Sequence, residues 1–194
     1  LLKELELDSA ILGDTTTSTG WIRCTHLDAI DPVPSAGRFE PAIASWLLDR
    51  HEGEGVDVVR CEDVGDRLVL SNQERARLWA IIHVHQQLQA IWPDASTAAR
   101  KRVASSPVFE DAVVLLEAVD PDGAAMVRQQ VDALSRTPSG LAPVPLVSGA
   151  DLIDAGMQPG PGFGQLLDQL YDAQLEDRIT TCSQGVEMAM GLIK

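Results

Sequence analysis

The sequence predicts an all-α fold, an elongated multi-helix body with a small C-terminal helical tail. Three observations predict it. Apolar residues recur every three or four positions through most of the chain, which is the helical period. Ser71–Glu74 and Ser148–Asp151 place a serine three residues ahead of an acid, the arrangement of a capping box at a helix start. Strand signals are weak. Val56–Val59 and Arg67–Leu70 are β-branched but short and flanked by helical pattern, so both read as buried helix or turn.

Taken in order, Ala36 to His51 puts Phe39, Ile43, Trp46 and Leu47 on one stripe. The Ser71 box opens a long run in which Leu78, Ile81, Ile82, His85, Leu88 and Trp92 face inward, until Pro93 stops the helix. Pro107 begins the next, with Phe109, Ala112, Val113, Leu116 and Val119 inward. Pro121 stands near the start of another, with Ala124, Val127, Val131 and Leu134 inward. Asp120 and Asp122 flank that proline, where acidic side chains complement the positive end of a helix. Helices follow at Ala150–Ala155, Phe163–Leu175 and about Cys182–Leu192. The Pro- and Gly-bearing loop from Thr137 to Pro145 is the clearest boundary. It divides a helical body, residues 1–136, from a tail, residues 145–194, with a hinge between them.

Composition bounds the function. At 194 residues, 45% hydrophobic and 23% charged, the chain has the make-up of a soluble globular protein, and no apolar run reaches the length of a membrane span. Cys24, Cys61 and Cys182 are odd in number and form no Cys-x-x-Cys pair, which points to reduced thiols and a cytoplasmic setting. Net charge is −14, divided as −8 over residues 1–70, −1 over 71–140 and −5 over 141–194. A polyanion is repelled by such a chain as a whole. If RNA binds, its phosphates must land on the near-neutral middle, and the cluster Arg100-Lys101-Arg102 is the local candidate.

The most informative stretch runs from Pro145 to Gly164. It reads as helix, stop, rigid loop, helix. Leu152 and Ile153 supply the buried side of the first helix. Gly156 sits where a left-handed residue ends it, and Pro159 and Pro161 cannot continue it. Gly160, Gly162 and Gly164 carry no Cβ and leave room for a close approach. The following helix presents free N–H groups near Gly162, a usable anion site. Taken alone, the stretch also fits a plain helix–helix corner.

Gly149-Ala150-Asp151-Leu152, then Gly156, then Pro159-Gly160-Pro161, followed by Gln174-Leu175-Glu176-Asp177-Arg178-Ile179-Thr180-Thr181, resembles the C-terminal region of bacterial tRNA nucleotidyltransferases. These are the CCA-adding enzymes and their poly(A) polymerase relatives. Their signature is G-x-D-L-x-x-x-G-x-x-P-G-P, with a later Q-L-x-x-x-I-x-T run. The likeness continues more weakly upstream, through Leu70-Ser71-Asn72-Gln73-Glu74 and Ile82-His83-Val84-His85, and is least at Leu27–Asp49. The resemblance implies the body and tail of such an enzyme without its catalytic head. It implies tRNA as partner, gripped by shape and backbone, with Arg100, Lys101, Arg102 and the amides near Gly160 and Gly162 as contacts. Mg2+ and the nucleoside triphosphate would belong to the head, and this segment would hold neither cofactor nor metal. DNA and membrane are not expected partners. The alternative is a helical protein-interaction or dimerisation module, a homodimer included, that binds no RNA.

Local chemistry does not point to catalysis. Glu62-Asp63, Glu110-Asp111 and Glu176-Asp177 are adjacent pairs, which diverge on a helix instead of converging on two metals. Where the family often carries Leu-Leu-His-Asp, this chain has Leu47-Leu48-Asp49 with a leucine in the histidine's place, which argues against a metal-dependent hydrolase. His85 reads as a core histidine. No phosphate loop and no G-x-S-x-G elbow are present. Trp46 and Trp92 read as core.

Overall fold

The computed structural model describes residues 39–50 and 58–192. The expectations for Cys24, for the weak likeness from Leu27 up to position 38, and for His51 lie outside the described residues. So does any statement on the Cys61 side chain. All regular structure among the described residues is helical: α1 Phe39–Arg50, α2 Val58–Arg67, α3 Asn72–Ala90, α4 Thr97–Ala104, α5 Phe109–Val119, α6 Pro121–Ser135, α7 Gly149–Asp154, α8 Phe163–Leu175 and α9 Cys182–Leu192. A 3-10 turn, Trp92–Asp94, follows α3 where Pro93 breaks it. The all-α class holds. Val58-Val59 open a helix and Arg67–Leu70 form a helix end and turn, as the helical pattern flanking these short runs predicts, although Val69 is exposed and not buried.

Two compact units divide the chain. The first takes in the described residues up to Ile91 together with Pro107–Ala125. The second comprises Trp92–Ser106 and the chain from Met126 onward. The loop Thr137–Pro145, expected as a hinge, lies inside the second unit.

In the first unit α3 is central, packed against α1, α2 and α5. Its capping box forms as the sequence predicts. Glu74 N–H donates to Ser71 Oγ at 3.3 Å, and Ser71 N–H donates to the Glu74 carboxylate at 2.7 Å. Hydrogen bonds from the Ser71 hydroxyl and the Ser71 N–H to its carboxylate hold Glu74 below its ordinary range. Leu78, Ile81, Ile82, His85 and Leu88 are buried, as is Val84. Ala44 and Leu47 of α1, Val64 of α2, and Phe109, Ala112, Val113, Leu115 and Leu116 of α5 are buried in the same unit, on the helices that pack against α3. Arg77 links α3 to Asp111 of α5 at 2.5 Å.

Three predicted inward residues do not turn inward. Phe39 is 51% exposed, Val119 39% and Ile153 48%. Each stands in the first or last turn of its helix, where a stripe of correct phase runs past the edge of its neighbour.

Three helices end alike, in a Schellman motif with a left-handed residue just past the cap. At α7 the residue is Gly156, φ +91°, with Met157 N–H donating to Leu152 C=O at 3.0 Å. At α8 it is Asp177, φ +57°, with Arg178 N–H on Ala173 C=O at 2.9 Å. At α2 it is Val69, φ +55°, with Leu70 N–H on Gly65 C=O at 2.8 Å. A β-branched residue in this region is strained by about 1–2 kcal/mol. Val69 is 85% exposed, so its side chain contributes little packing in return. V69G should therefore raise the stability of the full chain by about 1 kcal/mol, read as a higher urea midpoint at unchanged slope. A loss of stability in that variant would mean that Val69 is relaxed in its turn.

In the second unit α8 packs against α4 and α9, and α9 against α7. Val147, Leu152, Leu166, Leu170, Ala173, Ile179 and Ala189 form its core. The extended segment before α7 is fastened to α8 by side chains. Gln174 accepts from Leu146 N–H at 2.9 Å and donates to Val144 C=O at 2.8 Å, and Tyr171 Oη donates to Pro143 C=O at 3.1 Å. Trp92 is buried, as expected of a core residue, and donates through Nε1 to Gln130 at 2.8 Å.

Candidate functional site

The corner from Ser148 to Gly164 takes its predicted shape. Ser148 caps α7, and Asp151 returns the bond to Ser148 N–H at 2.8 Å. The Ser148 hydroxyl donates to the same carboxylate at 2.6 Å, and these bonds hold Asp151 below the ordinary carboxylate range. Gly156 ends α7. Pro159, Gly160, Pro161 and Gly162 are exposed, and Phe163 N–H closes a turn on Gly160 C=O at 3.0 Å. Gly162 is the N-cap of α8 and brings no side-chain cap to that helix.

This corner borders a cleft of about 320 Å³ lined by Gln158, Gly160, Gly162, Phe163, Gln165, Leu166, Gln169 and Leu192. The lining carries amide side chains and apolar surface and no charged group. A Cβ placed on Gly160, Gly162 or Gly164 would meet no atom of the described residues within 4 Å. Packing among the described residues therefore does not demand glycine at these positions.

The basic cluster sits otherwise than the sequence suggests, and Lys101 is a correction. Three consecutive side chains leave a helix about 100° apart, so Arg100, Lys101 and Arg102 cannot share one face. Lys101 is fully buried. Its Nζ donates to Thr137 Oγ1 at 2.6 Å, Ser139 Oγ at 2.6 Å and Leu175 C=O at 2.8 Å. All three ammonium hydrogens are thus matched, and the Leu175 carbonyl lies at the negative end of the α8 dipole. Lys101 is closed to a phosphate.

Arg100 folds back on the turn before its own helix. Its guanidinium donates to Trp92 C=O at 3.1 Å and Pro93 C=O at 2.8 Å, and lies 6.0 Å from the Trp92 ring centroid. Arg102 points to α8. It pairs with Asp172 at 2.7 Å and approaches Asp168 at 3.7 Å, with its guanidinium 5.1 Å from the Tyr171 ring centroid. The cluster is first of all a clamp inside the second unit. A sequence signal for this existed, because Lys101 stands three residues after Ala98, on the stripe that α4 buries.

The remaining candidates resolve into structure. Asp120 accepts from Gly123 N–H at 2.9 Å and so caps α6. His85 is buried, while His83 is exposed and stacks on Trp79 with ring centroids 5.4 Å apart. Asp49 is buried on α1. Among the described residues no three His, Cys, Asp or Glu side chains are grouped to hold a metal ion. No helix among them is long and apolar enough to cross a membrane. Cys182 is a free thiol.

No protein-family model, no characterised protein and no solved structure matches this chain.

Proposed function

We propose that this chain is a non-catalytic body and tail that positions the 3′ end of a tRNA for nucleotide addition by a nucleotidyltransferase head of the CCA-adding or poly(A)-adding type. Mg2+ and the nucleoside triphosphate belong to that head, and the cytoplasm is the setting. The observation that carries this reading is the exposed Pro159–Gly162 corner, whose glycines stand clear of the other described residues at a helix N-terminus without a side-chain cap. RNA would be met by backbone amides and recognised by shape, because the bases of an A-form duplex are hidden in its deep groove. Arg100 and Arg102 would contribute only what their internal partners leave.

Placing a carboxylate at the corner tests this. Asp is a good N-cap, so G162D should leave α8 equal or more stable. Beside a phosphate the same carboxylate is repulsive. The full chain should retard tRNA but not duplex DNA, with affinity falling steeply as salt rises, and G162D should weaken tRNA binding roughly tenfold without loss of stability. Binding that ignores both salt and the new charge would overturn the proposal.

A second reading is favoured by the engagement of Arg100, Lys101 and Arg102 within the protein in a chain of net charge −14. On that reading the chain is a helical protein-interaction or dimerisation module. Absence of tRNA binding, with a mass by light scattering that grows with concentration, selects it.

A further inference from the structure

A second groove lies in the same unit, between α7 and α9, with a volume of about 410 Å³. Cys182, Val186 and Met190 give it an apolar floor. Asp151, Asp154 and Glu187 line it with carboxylates, and no lysine or arginine takes part. Met190 is 51% exposed, and neighbouring Ile153 is also exposed. Asp154 and Glu187 make no ion pair and no side-chain hydrogen bond among the described residues. Asp151 is held in its ionised form by Ser148. The segment 141–194 has seven acidic and two basic residues, and one of those two, Arg178, is paired with Glu176 at 2.8 Å.

From this we infer that the α7–α9 groove docks an amphipathic, basic helical segment of a partner protein. An apolar floor with a one-signed rim is the complement of a helix carrying apolar anchors on one face and lysines or arginines beside them. Unneutralised carboxylates around apolar surface repel one another, and an approaching cationic helix relieves that repulsion while covering Met190 and Val186. Methionine is suited to such a floor, since its unbranched, polarisable side chain adapts to the anchor it meets. A nucleic acid is excluded here by charge, so this face is separate in chemistry from the Pro159–Gly162 corner. Its test is independent of tRNA binding.

The probe is a synthetic Leu/Lys helix with its leucines on one face, labelled for fluorescence anisotropy and titrated with the full chain. Two controls are a Leu/Lys peptide of equal charge with leucines scattered around all faces, and a Leu/Glu helix. The one-faced Leu/Lys helix should bind more tightly than either control and should slow alkylation of Cys182, read by peptide mass mapping. Replacing both Asp154→Asn and Glu187→Gln should weaken binding roughly tenfold. Replacing Asp94→Asn and Asp122→Asn, which are exposed elsewhere, removes equal charge and should leave the affinity unchanged. Equal binding of the scattered peptide would overturn the assignment, and so would equal weakening by the two double variants. Self-association of the chain abolished by D154N/E187Q would also overturn it, since the occupant would then be a second copy.

Discussion

K101M should lose about 3 kcal/mol of folding stability, the largest single-residue effect expected in the second unit. The methionine keeps most of the side-chain volume, so the loss isolates the ammonium. Without it, Thr137 Oγ1, Ser139 Oγ and the Leu175 carbonyl lose their shared donor. Buried acceptors without donors are more destabilising than the bonds themselves are stabilising. Two of the three are hydroxyls that can be removed in turn. K101M combined with T137V and S139A should therefore be less destabilised than the separate changes sum to, because the cation and two of its three acceptors disappear together. Denaturant unfolding at constant slope checks both statements. A K101M midpoint indistinguishable from that of the parent chain would show that water already serves these acceptors.

G185A should be destabilising by about 1–3 kcal/mol, against the ordinary benefit of replacing a helical glycine by alanine. Gly185 lies within α9 and is buried. A Cβ there would fall 2.3 Å from Val147 Cγ2 and 3.2 Å from Ile179 Cδ1. Real contacts of that kind do not exist, so α9 or the segment bearing Val147 would have to move. Trimming the partner should cure the clash. V147A in the G185A background should recover stability even though V147A alone removes buried apolar surface. If G185A alone stabilises the chain, α9 does not approach Val147 as closely as described.

Local chemistry made much of this fold legible in the sequence. Ser71 and Ser148 mark helix starts because their hydroxyls and the acids three positions on satisfy amides within one turn. Gly156 marks a helix end because a left-handed residue is needed there. The limits of α8 and α9 follow from the periodicity and match residue for residue. Illegible features were those decided by distant partners. Lys101 meets Leu175 across 74 positions, and no window on α4 reveals that a carbonyl end waits there. The exposure of Phe39, Val119 and Ile153 depends on where the neighbouring helix stops, which a stripe does not encode. Val69 in a glycine's conformation runs against local preference, and the pattern around it fits a buried helix as well as a turn. At the candidate site the corner's outline was legible, and so was the phase that turns Lys101 inward, whereas the distant partners that hold the basic cluster were not.

The Lys101 bonds bear on how this protein can be cut and regrafted. The stretch 145–194 looks from its sequence like a tail that could be lifted onto another body. Transplanted without Thr97–Ala104, it would carry a Leu175 carbonyl deprived of its ammonium and an α8 flank stripped of Arg102. The smallest heritable piece is therefore discontinuous, the Trp92–Ser106 stretch together with the chain from Met126 onward, and recombination between them would separate a lysine from the helix end it neutralises.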